Sequence, residues 1–136
     1  MGCYQVALSD TIGVCTPKQT KEIVQAALVD LSVDQIALHL HDTRGTALAS
    51  VLVGLELGIR NFDSSIGGLG GCPYAPGASG NLATEDLVYL LQGMGLETGI
   101  DLDKLIEAGG IAEQVVGRLL PGKVHQAGAF RLRKAV

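Results

Sequence analysis

The chain has 136 residues, 47% hydrophobic and 18% charged, a balance that excludes disordered and fibrous classes and predicts one compact domain spanning residues 1–136. The formal net charge is -4, and basic residues cluster only at Arg131, Arg133 and Lys134, so no field gathers nucleic acid or an anionic membrane. Cys3, Cys15 and Cys72 are odd in number and widely spaced, which argues against a disulfide framework and for a reducing, cytoplasmic setting. No targeting segment opens the sequence, and no apolar run is long enough to cross a bilayer.

Gln5 to Asp10 reads as a short buried strand. Thr16 then caps a helix, with Pro17 at its first position and Gln19 completing a capping box. Ile23, Val24, Ala27, Leu28 and Leu31 mark its apolar face. Gln35 to Asp42 is a second strand, Thr46 to Leu57 a second helix ended by Gly58, and Asn61 to Ile66 a third strand. Strand starts about 25 to 30 residues apart, with helices between them, predict βαβ units of a parallel α/β fold. A Gly-rich loop, Gly67 to Gly80, leads into a helix from Asn81 to Gln92. Two short helices, Asp101 to Ala108 and Ile111 to Leu119, follow, with Pro121-Gly122 as the last breaker.

Three stretches carry groups capable of chemistry. In His39-Leu40-His41-Asp42, alternation along the strand turns both imidazoles to one face and Leu38 and Leu40 to the other, towards covering helices. Such a pair at a strand's carboxyl end either chelates a divalent cation or serves a structural role. Cys72 sits in the middle of the glycine loop, as a thiol within reach of a ligand or as a small packing residue, whereas Cys3 and Cys15 read as packing residues. Asn81 is either a plain N-cap or a weak oxygen ligand for a hard cation. Asp10 orients a ligand or caps the turn after its strand. Asp63 and Ser65 share a face and serve as an interior polar pair or in catalysis. The helix macrodipole accounts for Glu85 and Asp86.

Several runs together resemble the hydroxymethylglutaryl-CoA lyases. They are Leu8-Ser9-Asp10-Thr11-Ile12-Gly13, His39-Leu40-His41-Asp42-Thr43, Asp63-Ser64-Ser65, and above all Gly68-Leu69-Gly70-Gly71-Cys72-Pro73-Tyr74 through Gly77-Ala78-Ser79-Gly80-Asn81, with Thr84-Glu85-Asp86 behind it. The resemblance implies a (β/α)8 TIM barrel with magnesium or manganese at its mouth, of which this chain holds the last three βα units and the C-terminal helices. It implies His39, His41 and Asn81 as metal ligands, Cys72 as the catalytic thiol with His39 or Asp10 relaying protons, and an acyl-CoA thioester as substrate, while the open edges of a three-stranded sheet favour a homo-oligomer. Related isopropylmalate and homocitrate synthases look similar at the His-x-His strand but lack the cysteine loop. Arg44, Pro76 and Cys15 stand where tyrosine, lysine and glycine are common. Arg44 and Pro76 look like a bacterial branch, which leaves the acyl group open.

The implied reaction is metal-assisted retro-Claisen cleavage of 3-hydroxy-3-methylglutaryl-CoA, or a related 3-hydroxyacyl-CoA, to acetyl-CoA and acetoacetate. An aspartate ligand and an arginine on the family's first strand have no counterpart here. The competing reading is therefore a fragment without activity of its own, since three strands cannot close an eight-stranded barrel. A Claisen-type acyltransferase of the same superfamily is a further alternative.

Overall fold

The computed structural model describes residues 2–71 and 80–129. Cys72 lies outside the described residues, as do segment 72–79 and the basic tail with Arg131, Arg133 and Lys134.

Three strands, β1 (Val6–Asp10), β2 (Ile36–Leu40) and β3 (Asn61–Asp63), form a parallel sheet in the order β1-β2-β3. Helix α1 (Pro17–Ala27) links the first pair and α2 (Ala47–Glu56) the second. The expected alternation of strand and helix is present. The capping box that opens α1 is formed as read: Gln19 N–H donates to Thr16 Oγ1, and Thr16 N–H donates to Gln19 Oε1 at 3.0 Å. Gly58, with φ of 93°, follows α2 as expected.

The core forms where the central strand meets the helices. Val24 of α1, Ile36, Leu38 and Leu40 of β2, Val51 of α2, Ile59, Leu82 and Leu87 are all buried in one cluster. In contrast to the buried strand expected, β1 is largely exposed. It is an edge strand with one hydrogen-bonded neighbour, and an open groove of about 600 Å³ runs between it and α1. Ile23 lines that groove and is 49% exposed, so it does not belong to the core face. Cys3 is also exposed rather than packed. Cys15 is half-buried, with its Sγ 3.3 Å from Thr20 Oγ1.

The third strand is shorter than expected. After Asp63 the chain turns away, Ser65 pairs in isolation with Ala83, and Ile66–Gly68 forms a 3-10 turn. Helix α3 (Thr84–Gly93) begins after Asn81, with Ala83 at its N-cap. The next segment is one helix, α4 (Leu102–Val116), running through Gly109-Gly110 where a break was expected. Tertiary packing decides this: α4 lies against α3 and against the short helix α5 (Lys123–Ala127), which sequence periodicity does not reveal.

Leu38 is 2% exposed on the helix-facing side of the central strand. Leu38→Ala should lower unfolding free energy by roughly 2–5 kcal/mol through lost burial and a residual cavity. Urea denaturation measures this; a loss below about 1 kcal/mol would show that the site collapses freely.

Candidate active site

The carboxyl end of β2 carries the densest polar constellation. Leu38 and Leu40 point into the helix layer, so His39 takes the opposite face and His41, just beyond the strand, joins it. Their ring centroids are 5.5 Å apart and tilted by 55°. Asn81 enters by a different route: it forms an isolated antiparallel bridge with His41. Directly opposed residues in such a pair project side chains to the same face, so the amide stands beside the imidazole. Ala83 and not Asn81 is the N-cap of α3, so of the two readings of Asn81 the plain N-cap falls away.

The hydrogen bonds determine which atoms remain available. His39 Nδ1 lies 3.3 Å from Asp63 Oδ2, its register partner on β3, and a carboxylate there selects the tautomer with the proton on Nδ1 and a lone pair on Nε2. Asp63 is exposed and pairs with His39 rather than with Ser65, while Ser65 donates its hydroxyl to Leu69 O. Asn81 Nδ2 also donates to Leu69 O, at 3.0 Å, which leaves Oδ1 as the free end of the amide. His41 Nδ1 and Asn81 Oδ1 are both buried and both lack a partner. Burial first, and then the neighbouring His39, hold the His41 pKa below its ordinary value, while the Asp10 charge pulls it the other way. The neutral imidazole so favoured is the form that coordinates a metal.

Two imidazoles and one amide oxygen on one face, two of the three with orphaned buried atoms, fit a divalent cation of the magnesium or manganese class. Among the described residues no group of three His, Cys, Asp or Glu side chains could hold a metal, so the set depends on the amide.

Asp10 is placed differently. It is in register with Leu40, not His39, and its two oxygens accept from Val14 N–H at 3.1 Å and Cys15 N–H at 2.9 Å. Its placement is that of a loop cap, with an electrostatic influence on His41; Ser9 is the residue in register with His39. Arg44 secures the same loop by donating to the carbonyls of Ile12 and Gly13 at 3.2 and 3.0 Å, and Asp42 Oδ1 accepts from Ala47 N–H at the start of α2. A small cavity of about 270 Å³ lies between the Asp42–Gly45 turn, Asn81 and Pro121–Lys123. The larger groove beside β1 is on the other face of the sheet, among leucines, and is not where the chemistry sits.

The reading of Glu85 and Asp86 as macrodipole charges misses their main work. Both are buried in the first turn of α3. Glu85 accepts from Gly67 N–H through both oxygens, at 2.9 and 2.7 Å, and Asp86 accepts from Lys123 and Val124 N–H at the start of α5.

These elements define an α/β protein of the parallel-barrel type, with its polar donors gathered at the carboxyl ends of the strands. The chain belongs to the HMGL-like family, whose model matches residues 1–111. It is 54% identical over 127 residues to the mitochondrial hydroxymethylglutaryl-CoA lyase of Bos taurus, covering 93% of this chain and 39% of that protein. It is 50% identical over 133 residues to the cytoplasmic 3-hydroxy-3-methylglutaryl-CoA lyase of Rattus norvegicus, covering 98% of this chain and 38% of that one. Among solved structures, an HMG-CoA lyase from Acinetobacter baumannii in complex with coenzyme A and 3-methylmalate superposes with a TM-score of 0.90 at 43% identity, over 98% of this chain and 44% of that one. The chain spans about two fifths of the length of the curated relatives it matches, and its fold is that of a partial TIM barrel.

Asp10→Ala removes the acceptor of two backbone N–H groups. Stability should fall by about 1–2 kcal/mol, read as a lower urea midpoint at unchanged slope. An unchanged midpoint would mean that water replaces the carboxylate without loss.

Proposed function

We propose that these residues form part of the active site of a carbon–carbon lyase that cleaves 3-hydroxy-3-methylglutaryl-CoA, or a closely related 3-hydroxyacyl-CoA, to acetyl-CoA and acetoacetate. The observation that carries the reading is the convergence of His39, His41 and Asn81 on one face, with His41 Nδ1 and Asn81 Oδ1 buried and unpartnered. Family membership and the coenzyme A complex of the Acinetobacter baumannii relative support the acyl-CoA thioester as substrate class.

The chemical difficulty is the leaving carbanion. The 3-hydroxyl loses its proton and becomes the ketone of acetoacetate as the bond between C2 and C3 breaks. That bond's electron pair forms the enolate of acetyl-CoA, which takes up one proton, so the proton count balances. A magnesium or manganese ion held by His39, His41 and Asn81 would supply Lewis acidity to the hydroxyl and orient a second substrate oxygen.

The chain's own residues have separate tasks. Asp63 fixes the His39 tautomer, and Asn81 presents its oxygen because Leu69 O occupies its NH2 group. Asp10 acts through the loop it holds and through its charge near His41. Cys72 is the proposed acid that protonates the enolate, an assignment that rests on the resemblance of the glycine loop. The widely spaced cysteines suit a reducing compartment, and the cytoplasm, where one of the relatives is found, is the one proposed. Among the described residues no helix is long and apolar enough to cross a membrane.

A second reading, that residues 1–136 alone are inactive and self-associate into a homo-oligomer, is favoured by the exposed edge strand β1 and the open apolar groove beside it. Acetyl-CoA release together with light scattering on residues 1–136 decides between them. A monomer with ordinary turnover would remove the second reading, and a silent oligomer would support it.

In a complete-barrel version of the protein, calorimetric titration with manganese should show one site that His39→Ala combined with His41→Ala abolishes. Unchanged binding in that variant would remove the cation site. Cys72→Ser should leave manganese binding intact and lower turnover by about a hundredfold or more, because a hydroxyl is the weaker acid by several pKa units. Near-parent turnover would make Cys72 a packing residue.

A further inference from the structure

Glu85 is a fully buried carboxylate that the proposed reaction does not use. Both its oxygens converge on one backbone N–H, that of Gly67, at 2.9 and 2.7 Å. The site is dry because α4 comes close: a Cβ at Gly109 would stand 2.6 Å from His125 Nδ1 and 2.7 Å from Glu85 Oε1. His125, buried beside it, is held through Nε2 by Glu113 Oε2 at 2.6 Å. Burying an ionisable carboxyl for a single N–H carries a desolvation cost, so what that N–H controls matters.

Gly67 lies in the 3-10 turn Ile66–Gly68, and its carbonyl is held as well, accepting from Gly122 N–H at 2.9 Å. Leu69 N–H closes the turn onto Ile66 O at 3.0 Å, and the Leu69 carbonyl is itself held by the Ser65 hydroxyl, which donates to it. That carbonyl receives Asn81 Nδ2. A carbonyl accepts and cannot donate, so it forces the NH2 end of the amide towards itself and the oxygen away. Gly70 makes the approach feasible, since a Cβ there would stand 2.5 Å from Asn81 Nδ2. The buried, unpartnered Oδ1 beside the unpartnered His41 Nδ1 is the result.

We propose that Glu85 is a positioning residue for the cation site: through the Gly67 turn and the Leu69 carbonyl it sets the Asn81 amide so that oxygen, and not nitrogen, joins the imidazoles. The proposal rests on the reading of His39, His41 and Asn81 as that site. Outer partners of metal ligands commonly account for 10- to 100-fold in affinity.

Manganese affinity of a complete-barrel version of the protein, measured by calorimetry without substrate, tests it. Glu85→Gln keeps the shape and one acceptor but loses the charge and sets an NH2 group in a dry pocket; the dissociation constant should rise about tenfold. If Glu85 acts through Asn81, then in an Asn81→Ala background Glu85→Gln should weaken binding by less than about twofold further. Losses that multiply in the double variant, or a single variant that binds like the parent, overturn the proposal while leaving the cation site standing. A parent that binds no manganese overturns both. Glu85→Asp, which keeps the charge on a shorter arm, runs the same cycle if the glutamine variant does not fold.

Discussion

The alternation of side chains along β2 is the constraint on which the rest depends. Because Ile36, Leu38 and Leu40 are buried with α1 and α2, the intervening His39 must face the other way, and His41 continues that face past the strand's end. The same leucines that stabilise the sheet therefore determine where the imidazoles point. A strand paired on both sides, with Val6–Asp10 on one flank and Asn61–Asp63 on the other, has no freedom to slip by one residue without exchanging the two faces.

Around this rigid strand, carboxylates stabilise backbone groups that would otherwise be orphaned. Asp10 holds the N–H groups of Val14 and Cys15, Asp42 that of Ala47, Glu85 that of Gly67, and Asp86 those of Lys123 and Val124. Asp10 and Asp42 tie a strand's end to the segment that opens the next helix, whereas Glu85 and Asp86 tie the first turn of α3 to the Gly67 turn and to the start of α5. These bonds fix the loops at the carboxyl ends of the strands, where a reaction needs donors held within fractions of an ångström. Acidic residues serve well there because a charged acceptor binds an N–H about twice as strongly as a neutral one.

The sequence made some of this legible and left other parts hidden, according to how local the cause is. The capping box at Thr16 and Gln19, the stop at Gly58 and the one-sided His-x-His strand arise from neighbours a few residues apart, and local pattern reveals them. Helix α5 is five residues long and starts on Asp86, 37 residues earlier in the chain from Lys123, so no window of periodicity contains its cause. Gly109-Gly110 reads locally as a break, yet the absent Cβ at Gly109 is what lets α4 settle against Glu85 and His125. Asn81 before a helix looks like a cap because its bridge to His41 is a long-range event. The partnership of His39 with Asp63 was visible only as two polar residues on neighbouring strands; the register that opposes them comes from the sheet.

The three donors of the proposed site differ in what holds them, and the difference has a consequence. His39 belongs to a strand whose geometry the hydrophobic core enforces, and His41 follows directly on its end, so disturbing them means disturbing the fold. Asn81 belongs to a loop stem, and its orientation depends on the Leu69 carbonyl, a tight turn and one buried carboxylate. An amide ligates a hard cation only with its oxygen presented, so its orientation decides whether it takes part. Affinity is therefore most easily tuned at the stem, without cost to the core. Changes in the Glu85–Gly67–Leu69 chain can adjust how firmly the third donor engages while the imidazole pair stays fixed. That separation places stability in β2 and its helices, and adjustment of the site in the turn that follows β3.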